Sequence, residues 1–302
     1  MRIIILFICI FYNVITFNAF AGILVLQSDF GTKDSAVAEM KGTALSVNEK
    51  ITIIDNTHEI NPFDIWEGGY RLYQSIKTFP KNTVFVSVVD PGVGTDRKSI
   101  VVKTKDDHYI VTPDNGTITF IEKEIGIVEA REIDETKNRV NGSEKSYTFY
   151  GRDVYVYTGA KLASGKISFK DIGEKIDVSK LQRFKYKQPD LKNSVLQGNI
   201  PVLDVNYGNV WTNINRNVVN KFDLKQGNKY KILITDGKKK IIINNVVYGN
   251  TFDDVKIGDP VLYFNSLDCL AIALNSGNFA KKYKVGYGAK WKIEIKRLKE
   301  SY

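Results

Sequence analysis

Three short apolar runs constrain this chain most: Ile23-Leu24-Val25-Leu26, Ile51-Thr52-Ile53-Ile54-Asp55 and Val84-Phe85-Val86-Ser87-Val88-Val89. Between them lie stretches with helical spacing, Ser35 to Val47 with Val37, Met40 and Leu45 recurring, and Ile65 to Ile76. Strand, helix, strand, helix, strand predicts an α/β fold, a mostly parallel sheet with helices packed on it. Ligands in such sheets bind beyond the carboxyl ends of the strands, where Asp29 and Asp90 both fall.

After about Phe184 the texture changes. Pro201 to Val205, Tyr230 to Ile234, Lys240 to Val247, Pro260 to Phe264, Cys269 to Ala273 and Trp291 to Ile295 are short strand candidates at turn-limited spacing, with few helix patterns among them. They predict a smaller antiparallel β domain, a barrel or sandwich. A chain of 302 residues that is 43% hydrophobic is long enough for two cores, at roughly 100–200 residues per domain. The predicted division is a leader over 1–21, an N-terminal α/β domain over 22–185 and a C-terminal β domain over 186–302. The connection is expected within Asp177 to Asn199, which is charged, contains Pro189 and lacks an apolar period.

The leader reads as a cleavable secretory signal. Arg2 precedes the apolar run Ile3 to Tyr12, and Ala19-Phe20-Ala21 offers the small residues that a signal peptidase inspects, giving a mature chain from Gly22. Export to the periplasm or exterior is the expectation, with no stable membrane span after signal removal. The alternative is an uncleaved N-terminal membrane anchor, against which Asn13 and Asn18 interrupt the run. Cys9 lies in the leader and Cys269 is then alone, so the mature chain has no intrachain disulfide. The formal charge of +9 is spread along the chain, and its one tight run, Lys238-Lys239-Lys240, leads into Ile241-Ile242-Ile243 as a solvated turn beside a strand would. That pattern argues against nucleic acid as a partner. No His, Cys and Asp cluster stands at ligand spacing, so no metal is expected.

Five loop segments carry the chemistry, each joining a carboxylate or amide to a glycine or proline turn. Asp29, at the end of the first strand, suits vicinal ribose hydroxyls or a helix cap; Asp34 suits a cap or a cationic ligand group. Asp90-Pro91-Gly92-Val93-Gly94 lets the backbone approach a ligand closely, without the third glycine of a dinucleotide fingerprint or the Lys-Ser/Thr of a P-loop. Arg97, seven residues after Asp90, closes an ion pair across that turn, structural or functional. Pro113-Asp114-Asn115-Gly116 reads as a β-turn. Phe149-Tyr150-Gly151-Arg152-Asp153 places a phenol, a bare backbone and a charge pair together. Tyr207, Asn209 and Trp211 alternate as on a strand, either as an aromatic core stripe or as a face on which an amide reads adenine between rings.

In this order and at these spacings, the segments resemble the S-adenosylmethionine hydroxide adenosyltransferases, relatives of the fluorinase and chlorinase enzymes. The resemblance also covers Asp55-Asn56-Thr57-His58-Glu59-Ile60-Asn61-Pro62-Phe63-Asp64 and runs from Ile23 to the C-terminal region. It implies a homotrimer that binds S-adenosylmethionine between the N-terminal domain of one subunit and the β domain of its neighbour. Asp29 would then hold the ribose hydroxyls, Asn209 would read adenine, and Tyr207, Trp211 and Phe252 would enclose the ring. Asp34, Asp204 and Ser266 would meet the methionine amino and carboxylate groups, and Asn265-Ser266 and Asn275-Ser276-Gly277-Asn278 resemble the family's C-terminal ligand loops.

The implied reaction is attack at ribose C5′ with methionine leaving, and the compound is substrate, with no further cofactor. Water-using members carry an Asp, Arg, His triad; Asp90 and Arg97 match it, and Tyr150 stands at the histidine position. Fluorinase-like members have tyrosine there too, but lack the aspartate that Asp90 represents and use serine where this chain has Gly151. An anionic Asp90 should repel halide and accept a hydrogen bond or proton from water. Hydrolysis to adenosine and L-methionine is the leading expectation, with catalytic residues Asp90, Arg97 and Tyr150. A halide-using adenosyltransferase and a noncatalytic adenosyl-ligand binding protein are the alternatives.

Overall fold

The computed structural model describes residues 22–298. The candidate signal over 1–21 lies outside the described residues, among which no helix is long and apolar enough to cross a membrane.

The three apolar runs become β1 (Ile23–Ser28), β2 (Thr52–Thr57) and β3 (Val84–Val88), and the helical spacings become α1 (Ala36–Val47) and α2 (Ile65–Ile76). The sheet continues with β4 (Ser99–Thr104), β5 (Tyr109–Pro113), α3 (Thr119–Glu124), β6 (Ile127–Glu132), α4 (Tyr157–Ala163) and β7 (Lys175–Ile176). Its seven strands run in the order β2-β1-β3-β5-β4-β6-β7. β2, β1, β3 and β5 are mutually parallel, as expected, whereas β4, β6 and β7 add an antiparallel flank. The flank follows from the short turn at Thr104–His108, which allows β5 to fold straight back on β4.

Both faces of this sheet are covered, which is why its central strands are continuous apolar runs. Leu24, Val86 and Val111 pack on Met40 and Ala44 of α1 and Ala160 of α4, while Val25, Phe85 and Ile110 pack on Leu72 and Ile76 of α2 and Ile121 of α3. A turn of π-helix, Gly151–Val156, leads into α4.

The second unit is a nine-stranded sheet. Its strands are β8 (Asp190–Lys192), β9 (Val195–Asn199), β10 (Val202–Leu203), β11 (Val210–Asn215), β12 (Lys229–Thr235), β13 (Lys240–Tyr248), β14 (Pro260–Phe264), β15 (Cys269–Leu274) and β16 (Lys292–Arg297). They run in the order β10-β11-β15-β14-β13-β12-β16-β9-β8, antiparallel except for β13 with β14. Short helices α5 (Arg216–Val219) and α6 (Phe279–Tyr283) cap it. The sheet curls until β9 meets β11, where the Asn199 amide donates to Asn213 Oδ1 at 2.7 Å. Within the expected connection, β8 and β9 already belong to this sheet.

Aromatic side chains join the two sheets. Trp66 of α2 donates its indole N–H to the Pro201 carbonyl at 2.8 Å and packs edge-on against Phe120 and Tyr186. On the same helix, Gly69 lets the backbone approach the loop before α3: a Cβ there would stand 2.6 Å from the Thr117 carbonyl oxygen. Gly69→Ala is therefore expected to lower stability by about 1–3 kcal/mol despite alanine's higher helix propensity, read by urea unfolding; an unchanged midpoint would refute the tight contact.

Candidate functional site

The carboxyl ends of β1 and β3 open into a cavity of about 230 Å³ whose walls include Asp29, Phe63, Val88, Asp90, Val93 and Tyr150. Asp29 follows β1 directly. Its Oδ2 accepts the Phe63 N–H at 2.8 Å. Burial raises its carboxyl above the usual aspartate range, opposed by that backbone hydrogen bond. Phe63 holds a left-handed backbone, φ 68°, and leaves 72% of its surface exposed.

Asp90 lies two residues beyond β3, and the Pro-Gly turn returns the chain so that Arg97 forks onto it. Nε donates to Oδ1 at 3.0 Å and Nη2 to Oδ2 at 2.6 Å, while Nη1 donates to Ser99 Oγ at 3.0 Å. Only 5% of the Asp90 side chain and 11% of the Arg97 side chain are exposed. Burial works against the guanidinium charge, and the hydrogen bonds it donates to Asp90, with the nearby negative charge, outweigh it, raising the Arg97 pKa. Two residues with no sequence signal complete the surroundings. The Tyr155 hydroxyl lies 3.4 Å from Asp90 Oδ2, and its pKa is pushed well up by burial and by that carboxylate. Arg139, held by Glu135 and by the carbonyls of Ser143 and Ser146, lies 4.6 Å from the Tyr150 ring centre, with Arg97 4.8 Å from the same ring.

A second cavity of about 680 Å³ opens on the β domain, with Asp204, Tyr207, Asn209, Phe252, Tyr263 and Ser276 in its walls. Tyr207 is not on a strand, contrary to the alternation expected from sequence. Asp204 Oδ1 accepts the amides of Asn206 and Tyr207, both at 3.2 Å, and folds 204–208 into a turn before β11 begins. Gly208 closes that turn at φ 65°, a backbone that other residues rarely adopt, and a Cβ there would fall 2.0 Å from Oδ1 of Asn278, the cap of α6, and displace it. Asn209 is buried, and Phe252 packs edge-on against Tyr263 at 5.1 Å. The Tyr263 phenol is pushed up to about 12, chiefly by burial and also by the neighbouring Asp204 carboxylate.

The other expected residues lie elsewhere. Trp211 packs in the cluster of Trp66, Tyr70 and Phe120 between the sheets. Asp34 is exposed just ahead of α1 and accepts the Ala36 amide at 2.9 Å, while Ser35 holds the cap position. Ser266 is exposed on the β14–β15 turn, at the other end of that hairpin from Asn275-Ser276. Arg152 pairs with the buried Asp153 and with Glu39, an internal brace. Among the described residues, no group of three or more His, Cys, Asp or Glu side chains is arranged to hold a metal ion.

Residues 24–173 match the SAM hydroxide adenosyltransferase N-terminal domain, and residues 198–292 match its C-terminal domain. The chain belongs to this family. It is 31% identical to a fluorinase from Actinoplanes sp. (strain N902-109) over 290 residues, 88% of this chain and 95% of that protein. It is 44% identical over 144 residues to the (R)-S-adenosyl-L-methionine hydrolase of Methanocaldococcus jannaschii, covering 46% of this chain and 52% of that protein. A solved structure of an uncharacterized conserved protein from Thermotoga maritima superposes with a TM-score of 0.82 at 33% identity, covering 91% of this chain and all of that one. This family member is thus an enzyme of S-adenosylmethionine chemistry, in which both hydrolase and fluorinase relatives occur.

The buried pair gives the family member's site a direct test. Arg97→Gln leaves the Asp90 carboxylate buried without its partner and is expected to cost about 3–5 kcal/mol. Adding Asp90→Asn should return much of that loss in urea unfolding. Equal losses in the single and double variants would remove the pair from the account.

Proposed function

We propose that this chain hydrolyses S-adenosyl-L-methionine to adenosine and L-methionine. The observation that carries this reading is Asp90: a carboxylate in the wall of the cavity that also contains Asp29, with a guanidinium fork on both of its oxygens. The fork takes one acceptor direction of each oxygen, and with the Tyr155 hydroxyl also on Oδ2, Oδ1 keeps a free direction for water. The water oxygen bonds to ribose C5′ as the C5′–S bond breaks, the bonding pair passes to sulfur, and the proton leaves through Asp90 to solvent. Because the sulfonium is already cationic, methionine departs without an acid. The protein's task is to align and desolvate the nucleophile.

In this reading Asp29 takes the ribose hydroxyls, Asn209 reads adenine between Tyr207 and Phe252, and Asp204 faces the methionine amino group. Trp211 supports that wall from behind. Asp34 and Ser266 stand in the wall of neither cavity and are given no ligand contact in this reading. The two cavities have no wall residue in common, and Phe63, Tyr207 and Phe252 leave 72%, 67% and 43% of their surfaces exposed at them. That division supports a site shared between copies, the first cavity of one meeting the second of its neighbour, and the homotrimer itself is what the family resemblance implies. The fluorinase relative, matched over 88% of this chain, favours halide use as the second reading. Against it stands the negative Asp90 beside the reacting position.

The deciding assay follows purified protein with the (S) and (R) sulfonium epimers in halide-free buffer, then with fluoride or chloride added. Adenosine plus methionine is expected without halide. A halogenated nucleoside that appears only with halide would overturn hydrolysis. Asp90→Asn should lower turnover by about 10²–10⁴-fold while adenosine still binds; retained turnover would remove Asp90 from the mechanism.

Composite sites make a separate expectation. Asp90→Asn and Asn209→Ala chains, each inactive alone, should regain turnover when co-expressed with different tags and purified as mixed oligomers. Mixed oligomers with no recovered activity would place both cavities' functions within one chain.

A further inference from the structure

The buried imidazole of His58, at the end of β2, is left without a role by the reaction above. Its Nδ1 lies 2.7 Å from Ser28 Oγ, and its Nε2 lies 3.2 Å from Asp55 Oδ1. Serine, histidine and aspartate in a row suggest a nucleophile, but Ser28 is fully buried and forms no part of the cavity wall. Its hydroxyl is engaged on both sides, because the oxygen also accepts the Phe30 amide at 3.3 Å.

The hydrogen-bond arithmetic fixes the proton positions. One arrangement satisfies every group: Phe30 N–H donates to Ser28 Oγ, the Ser28 hydroxyl donates to His58 Nδ1, and His58 Nε2–H donates to Asp55. Burial lowers the His58 pKa, opposed by Asp55, and so favours the neutral ring that this arrangement requires. The His58 carbonyl also accepts the Gly31 amide at 2.7 Å. His58 therefore grips the turn 28–31 at both ends, through its ring at Ser28 and through its backbone at Gly31. Asp29 lies between those grips, and its far oxygen rests on the amide of Phe63, five residues beyond His58.

We infer that His58 is a positioning residue for the ribose: the Asp55–His58–Ser28 relay, with hydrogen on Nε2 alone, holds Asp29 at the angle that binds vicinal hydroxyls. This role rests on the reading of Asp29 as the ribose carboxylate. The histidine touches no substrate. Its effect passes through one turn of backbone, so it acts on nucleoside affinity ahead of the chemical step.

The full chain has two histidines, so their ring nitrogens can be assigned by ¹⁵N NMR after labelling. His58 is expected as the Nε2–H tautomer; an Nδ1–H ring would overturn the relay whatever the protein binds. Adenosine affinity, measured by calorimetry, is expected to fall about tenfold or more in Ser28→Ala and His58→Leu. His58→Asn, whose amide oxygen can still accept the Ser28 hydroxyl, should stay within about threefold of wild type. Should His58→Leu fail to fold, Ser28→Ala and His58→Asn carry the comparison. Equal affinity in wild type and Ser28→Ala would overturn the positioning role. A wild-type protein that binds no adenosine would instead overturn the ribose reading of Asp29, with the tautomer still reporting on the relay.

Discussion

The two-pronged pair between Asp90 and Arg97 is the contact on which the rest of the site depends. It closes the connection from β3 to β4, because the guanidinium reaches back over the Pro-Gly turn and then braces Ser99 at the start of β4. Removing two charges from water costs several kcal/mol per ion, and a single poorly aligned contact would not offset it. The matching planes of fork and carboxylate meet that cost and also fix the direction of the free lone pairs. The requirement that lets a carboxylate remain buried at the end of a parallel strand also aims it at whatever occupies the cavity.

Two more turns converge on the same cavity, and the β domain holds one of them. Asn61 donates to the Tyr287 hydroxyl at 3.0 Å, and that hydroxyl donates to Asp64 at 2.8 Å. Asn61 and Asp64 bracket Phe63, whose amide holds Asp29. The position of Asp29 thus depends on contacts from both sheets, with His58 on one side and Tyr287 on the other. The aromatic cluster around Trp66 makes that dependence rigid, since it packs the helix after Phe63 against the strands of the second sheet. With the sheets fixed in this way, each cavity keeps exposed aromatic rings in its wall, Phe63 at the first and Tyr207 and Phe252 at the second.

The legible parts of this fold are those that rest on local periodicity. β1, β2, β3, α1 and α2 fall where runs and spacings put them, because each buries its own apolar face against the sheet. The spacing of Asp90 and Arg97 was also readable, since seven residues with two glycines and a proline can form little but a return turn. Tyr207 was misplaced because alternation is a weak signal where an Asp-x-x-Tyr-Gly turn can form, and here the Asp204 side chain wins the backbone amides from the strand. Arg139 and Tyr155 carry no motif. They reach Asp90 and Tyr150 through the folding of the 133–150 loop and the π-turn after it, contacts across tens of residues that no local pattern encodes.

Tyr150 shows how a changed residue alters the work of its neighbours. Its ring lies within 5 Å of two guanidinium carbons, those of Arg97 and Arg139. A protonated imidazole would meet repulsion from both cations, whereas the negative face of a phenol ring attracts them. Glu135 answers the second charge by pairing with Arg139 at 2.8 Å. The tyrosine at the position where family resemblance leads one to expect histidine is therefore matched by cations suited to an aromatic face, one of them on a loop without family motif. In this arrangement the ring serves as a wall that holds Arg97 in register with Asp90. In the proposed chemistry, orienting the water then falls to the carboxylate, so that reading needs the Asp90–Arg97 pair and does not need a histidine at position 150.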